Sequence, residues 1–498
     1  MNHQQHLQKY LPLLTTILFF NNITLAQRVE IELNSKADNY QLVSLSEEGV
    51  VIFSDQSYKI FGANAKWIFS HYNKKLEEVW ETEIEAPKGN YIYQDFDTEE
   101  GALFMIFTKF SGEYLVIEVN TKTQTVTNHH IDALRNLTFQ DFVILNRYIF
   151  ISGTSRGTPV ILHYQLGSNT PPQILKSSYS KKTELEKLDK DILNRIVKVT
   201  STDWKGGNSS MRVQSYLENG EQVFNLPIAP KEEKNLLTGK LSVNKEGKLL
   251  LIGTFANRNS RYADGIYIGE HDGNGINFMK FYNFTELQNY FDYLPKGRKE
   301  ALMKRSEKKQ EHGKDLNLQY RLLVHDIFEK DGQYILTAES YYPIYRYERR
   351  RDGSSGGRLI RTVRIFDGFK YTHAIVAGFN DQGNLTFDGS FAIESPKLMK
   401  LKELVRVGYH DGLARILYSS EGKIFSKSIK DNEIIEGQAV KAIPTEYESD
   451  DIKKSYVNNL EYWYDNYFLA WGFQKIRNNE NSDVKLKRSV LYFNKVEY

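Results

Sequence analysis

A short apolar strand returns along this chain about every 50 residues, a period that belongs to repeated four-stranded sheets and not to a single undivided core. Its copies are Val50–Phe53, Ala102–Phe107, Tyr148–Ile151, Lys248–Ile252, Tyr334–Leu336, Leu413–Leu417 and Tyr467–Trp471, with a weaker copy at Ile196–Val199. Each is preceded by one strand and followed by two, as in 40–46, 50–54, 66–73 and 79–85, with turns rich in Gly, Asn, Asp and Lys between them. The 32 Tyr and 28 Phe suit half-buried pleated surfaces. The spacing predicts an all-β chain folded as a single β-propeller of seven or eight four-stranded blades, with eight favoured. The count is seven if the unit at Ile196 lacks a first strand, because 177–194 reads as partly helical. The unassigned strand Arg28–Leu33 is expected to pair with the last unit and close the ring, which removes an exposed edge. No Pro/Gly/Ser-rich linker divides the units, so residues 27–498 read as one domain with insertions at about 285–320 and 341–371.

Residues 1–26 read as a signal peptide: Lys9 precedes the run Leu11–Phe20, and Thr24-Leu25-Ala26 supplies a small-residue cleavage site before Gln27. That run is too short for the roughly 20 residues a spanning helix needs. The expected location is the periplasm or outer cell envelope of a Gram-negative bacterium. The absence of cysteine excludes disulfides, thiolate metal sites and cysteine nucleophiles. Formal net charge is only +2, so an electrostatic partner must be met by a local patch; no nucleic-acid partner and no cofactor is expected.

Within a four-stranded antiparallel unit the connections alternate between two sides. One side holds tight turns such as Glu47-Glu48-Gly49 and Lys330-Asp331-Gly332, with Gly where φ must be positive. The other holds Asp203–Ser210, Phe255–Asp264, Thr285–Tyr320, Tyr341–Tyr371, Pro444–Val457 and Arg477–Lys487. Long loops on a rigid scaffold are where binding residues gather, so this is the candidate functional face. The mixed-charge run 296–314 suggests one or two helices. The other insertion is one-sided: Arg346, Arg349, Arg350, Arg351, Arg358, Arg361 and Arg364 face only Glu348, Asp352 and Asp367. Guanidinium groups pair with carboxylate or phosphate and stack on aromatic rings. The candidate binding residues are therefore Tyr341, Tyr342, Tyr345, Arg346, Tyr347, Arg349, Arg350 and Arg351, with Trp204 and Arg258 from neighbouring loops. The bland alternative is a basic hairpin tip around 353–357 with tyrosines packed on the blade.

Catalytic motifs are weak. Gly153-Thr154-Ser155-Arg156-Gly157 and Gly353-Ser354-Ser355-Gly356-Gly357 spell G-x-S-x-G but lack the strand–turn–helix setting of a nucleophile elbow. Asn128-His129-His130 lies on a strand, where adjacent side chains point apart. Glu339 and Tyr341 share one side of a strand, which leaves a glycoside hydrolase or lyase at the centre of the long-loop face as the alternative to a non-catalytic interaction module. The run Thr337-Ala338-Glu339-Ser340-Tyr341-Tyr342-Pro343, with Phe366-Asp367-Gly368-Phe369-Lys370-Tyr371-Thr372-His373-Ala374-Ile375-Val376-Ala377-Gly378-Phe379 and the Ala26-Gln27 junction, resembles uncharacterised exported propeller-like proteins of Bacteroidetes-type bacteria. That resemblance implies a compartment and a fold, and brings no activity or site residues. The leading expectation is a cell-envelope module that binds a protein or an anionic polymer through its long-loop face.

Overall fold

The second strand of each unit is apolar on both faces because both faces are covered. In Ala102–Thr108, Leu103, Met105 and Phe107 pack toward the preceding sheet, while Phe104 and Ile106 pack toward the following one. Period-two alternation sorts a continuous apolar run between two neighbours. Leu250 and Ile252 against Leu251 repeat the arrangement.

The computed structural model describes residues 27–33, 40–56, 65–99, 101–109, 112–132, 134–177, 179–230, 234–257, 260–273, 275–312, 316, 318, 320–351, 360–394, 397–481 and 484–498. The signal segment 1–26, Arg258 and the glycine-rich tip 353–357 lie outside the described residues. Among those described, eight antiparallel sheets form, seven of four strands and one of five. In chain order they occupy 40–85, 92–132, 137–174, 183–228, 235–283, 321–392, 405–442 and 450–497. Arg28–Glu32 joins the eighth sheet, pairing antiparallel with Lys487–Glu497.

Apolar clusters lie between successive sheets, and one joins the eighth to the first through Trp463, Trp471 and Phe473 against Tyr40, Leu42 and Ile52. Arg488 stands at the seam of the eighth sheet, with Nε and Nη2 on Glu30 at 3.0 and 2.9 Å and Nη1 on Asp450 at 2.9 Å. Arg28 donates to Gln474 at 2.8 Å and to the Pro444 carbonyl at 2.9 Å.

Three expectations are corrected. The stretch read as partly helical holds the strand Thr183–Asp191, which gives the fourth sheet its first strand. Asp203–Ser210 is no long loop: the strands Ile196–Lys205 and Asn208–Leu217 meet at Gly206-Gly207, with φ of 60° and 88°, a two-residue hairpin turn. The segment 341–371 is no loop either, since Gln333–Arg351 and Ile360–Phe379 pair along their length. The insertion 285–320 does carry a helix, Lys296–Gln310, after the short 3₁₀ turn Tyr290–Tyr293. No helix among the described residues is long and apolar enough to cross a membrane.

Candidate functional site

Beyond Tyr341 and His373 the two long strands of the sixth sheet lose their outer strands and keep on that side only an isolated bridge from Phe369 to Leu398. Arg321–Val324 pairs only as far as Tyr341, and Leu385–Ala392 only as far as His373. What continues is a two-stranded ribbon, Tyr342↔Lys370 to Arg351↔Ile360, about 30 Å long at the rise of an extended strand. Tyr342, Tyr345, Tyr347, Arg346 and Arg349 are exposed on it. The Arg364 guanidinium lies 3.5 Å from the centroid of the Tyr345 ring, and Arg346 pairs with Glu348 at 3.0 Å. The strand runs on through Arg350 and Arg351, whose side chains are outside the described part.

The helix Lys296–Gln310, in the connection that leads into the sixth sheet, adds to the positive charge. It carries Lys296, Arg298, Lys299, Lys304, Arg305, Lys308 and Lys309 against Glu300 and Glu307. Its first turn has cations and no acid, contrary to what the helix dipole favours. Among the described residues only Lys299 of these seven is ion-paired, to Asp292. Lys308 and Lys309 in the last turn suit the dipole, but the first-turn cations do not.

The fourth, fifth and sixth sheets bring their long-connection ends together around a pocket of about 190 Å³. Trp204 comes from the end of a strand, Arg261 and Ala263 from the 257–264 connection, and Tyr320, Arg321 and Tyr341 from the sixth sheet and its lead-in. An isolated bridge, Ala263↔Tyr320, ties the two loops. The Arg261 guanidinium lies 4.6 Å from the centroid of the Trp204 ring and donates to Glu184 at 2.8 Å. Both ends of that ion pair are largely exposed, so it contributes about 0.2–1 kcal/mol. Arg321 has no carboxylate within ion-pair distance among the described residues. Tyr320 accepts or donates a 2.6 Å hydrogen bond with Tyr293, whose ring stacks on His373 at 3.7 Å. Burial pushes the Tyr320 and Tyr341 phenols up and drives His373 down to about 3, so all three are neutral.

Of the residues expected from sequence, Trp204 and Tyr341 meet in this pocket, whereas Tyr342, Tyr345, Arg346, Tyr347 and Arg349 lie out along the ribbon. Arg261, Arg321 and Glu184 were missed. They come from three sheets, and only their proximity, not any spacing, marks them. Glu339, the carboxylate of the enzymatic alternative, is fully buried: its Oε1 accepts the Leu404 and Val405 N–H groups of the seventh sheet, each at 2.7 Å. It ties two sheets together and offers no access to a substrate.

A second cavity, of about 730 Å³, lies among the first strands of the sheets. In the second to fifth sheets that strand bulges at one place, at Gln94, Gln140, Glu186 and Leu237, and a bulge re-aims its neighbours. The result is a repeat, Gln94-Asp95-Phe96-Asp97, Gln140-Asp141-Phe142-Val143 and Glu186-Lys187-Leu188-Asp189. Asp97 accepts Ile144 N–H at 2.7 Å and Asp141 accepts Leu188 N–H at 2.9 Å, each reaching the next sheet. Lys190 reaches past a sheet to Asp97 at 2.7 Å, and Lys187 does the same to Asp326. These charges are engaged with one another, so the cavity reads as bracing.

Burial raises the Glu186 carboxyl to about 7 despite the Thr202 hydroxyl and Lys240. Its folded value stands above its unfolded one, so its stabilising contribution is complete below the ordinary glutamate range and is lost as pH rises through about 7. Glu186→Gln should therefore raise stability at pH 8, by about 1 kcal/mol after allowance for solvent in the cavity, and leave it unchanged near pH 4.5. Urea melts at the two pH values check this.

No family model and no curated protein matches the chain. Among solved structures it is similar to the polysaccharide lyase Uly1, at 9% identity over 94% of this chain and 100% of that one, TM-score 0.40. It is also similar to the β-propeller domain of the Trilobed protease from Pyrococcus furiosus, at 10% identity over 78% and 94%, TM-score 0.34. A third likeness is to apo AztD from Citrobacter koseri, at 11% identity over 84% and 92%, TM-score 0.37. These are likenesses alone, and nothing of what those proteins act on is carried over.

Proposed function

We propose that this chain is an exported, non-catalytic binding module of the cell envelope that holds an anionic polymer across its long-connection face. The sheets are read as the blades of a closed, eight-bladed propeller. The cyclic order of the apolar clusters and the pairing of Arg28–Glu32 with the last strand support that reading. Export rests on the signal-like residues 1–26.

The observation that carries the function is the segregation of charge. A chain of net charge +2 concentrates seven cations on one helix and a row of arginines on one ribbon. Among the described residues of the helix, six of the seven cations have no ion-pair partner. The helix cations left without a carboxylate suit a partner with anions in a row, and such binding weakens with salt. A membrane surface fits less well, because a helix that lies in the interface needs a broad apolar face, and this one has only Ala301, Leu302 and Met303 between its charges.

Affinity electrophoresis through polygalacturonate gels tests it. The protein should be retarded at low salt, released by about 0.5 M salt, and not retarded by neutral dextran. Reversing Lys304, Arg305 and Lys308 to Glu, or Arg346 and Arg349 to Glu, should weaken retention about tenfold. Retention indifferent to salt and to both reversals would sink the reading, and equal retention by DNA would redirect it to polyanions in general.

A further inference from the structure

We infer that the pocket between the fourth, fifth and sixth sheets is a subsite for one carboxylate-bearing sugar unit, gripped by Arg261 and Arg321 against the Trp204 indole. This rests on the reading of the face as an anionic-polymer site and names the unit it recognises.

The pocket holds about 190 Å³, room for a single ring and not for an extended segment. Its wall combines two guanidinium groups with the phenols of Tyr320 and Tyr341, all at the long-connection ends of their sheets. Guanidinium groups suit a carboxylate, and neutral phenols suit hydroxyl groups. Arg261 is already oriented, laid on the Trp204 ring with one N–H on Glu184. Glu184 thus takes the place that a ligand's own carboxylate would fill. Binding displaces it, and Arg321, which lies 5.7 Å from the centroid of the Tyr262 ring and has no carboxylate to release among the described residues, supplies the second charge.

Trp204 makes the idea directly measurable. The chain has five tryptophans, and Trp67, Trp80, Trp463 and Trp471 are all buried in the inter-sheet clusters. Only Trp204 is part-exposed, so a change of intrinsic fluorescence on ligand addition reports this pocket.

Titration of the full chain with galacturonate at fixed ionic strength should give a saturable fluorescence change in the millimolar range, whereas galactose and acetate should give none. Arg321→Gln should weaken galacturonate binding at least tenfold. Glu184→Gln should tighten it, by about threefold, since it frees Arg261 and removes a repelling carboxylate. Trp204→Phe should abolish the signal while galacturonate still protects the variant against thermal unfolding. Equal responses to galacturonate and galactose, or a Glu184→Gln variant that binds more weakly, overturn the proposal. Polymer retention without any galacturonate response overturns the pocket and spares the face. A galacturonate response without polymer retention upholds the pocket and overturns the face.

Discussion

Replacing Arg488 with methionine should lower the stability of the protein by about 3–5 kcal/mol at neutral pH, the largest effect expected of a single side chain. Its guanidinium is the shared partner of Glu30 and Asp450, and the side chains of all three are almost completely removed from solvent. Methionine fills much of the volume but leaves two carboxylates buried with too little positive charge. Burial by itself would raise the Asp450 carboxyl, but hydrogen bonds from Arg488 and Asn478 hold it below the ordinary aspartate range. A depressed carboxylate contributes stability that is present above its unfolded value and lost as pH falls through its folded one. The gap between native protein and variant should therefore be widest at neutral pH and narrow below about pH 4, which denaturant melts across that range will show. A gap independent of pH would remove the carboxylates from the explanation.

Glu339→Ala should cost about 3 kcal/mol and act on a single seam. The Leu404 and Val405 N–H groups lose their acceptor, and no other carboxylate reaches them. Amide hydrogen exchange should accelerate at those two positions while the apolar strand Ala102–Thr108 stays protected. Glu339→Gln keeps an acceptor oxygen and should cost about half as much. Loss of function in either variant would report the docking of the sixth sheet on the seventh, not the removal of a catalytic group.

The architecture was legible where side chains face two neighbours at once. Leu103–Phe107 is apolar throughout because alternate residues enter different clusters, and such runs stand out in a sequence. The fourth sheet was misread at its first strand for a physical reason. In Thr183–Asp191 the buried residues are Thr183, Leu185 and Leu188, a two-then-three spacing that imitates a helix, because Glu186 is the extra residue of a bulge. The Gly206-Gly207 turn carried its own hairpin signal, hidden by the polar strand ends Asp203–Lys205 and Asn208–Ser210.

The candidate site was half legible. Aromatic and arginine content singled out Trp204, Tyr341 and the ribbon. The partners that turn two aromatic rings into a pocket could not be found this way. Glu184, Arg261 and Arg321 are ordinary surface residues along the chain, and they gain a role only where three sheets converge. The same holds for the bulge repeat at Gln94, Gln140 and Glu186, which is visible as spelling only after the structure has aligned it.

The pairing of Arg28–Glu32 with Lys487–Glu497 has a mechanical side. The register sets Arg28 opposite Asn494, and Lys495 N–H bonds back to the Gln27 carbonyl, so both outgoing ends of the paired strands leave from the same corner. A pull on those two ends loads the ladder rung by rung, because antiparallel bonds lie across the strands. It would open as a zipper and not resist as a shear joint. The resistance to such a pull then falls to two buried guanidinium groups, Arg28 at the first rung and Arg488, the rivet set behind it.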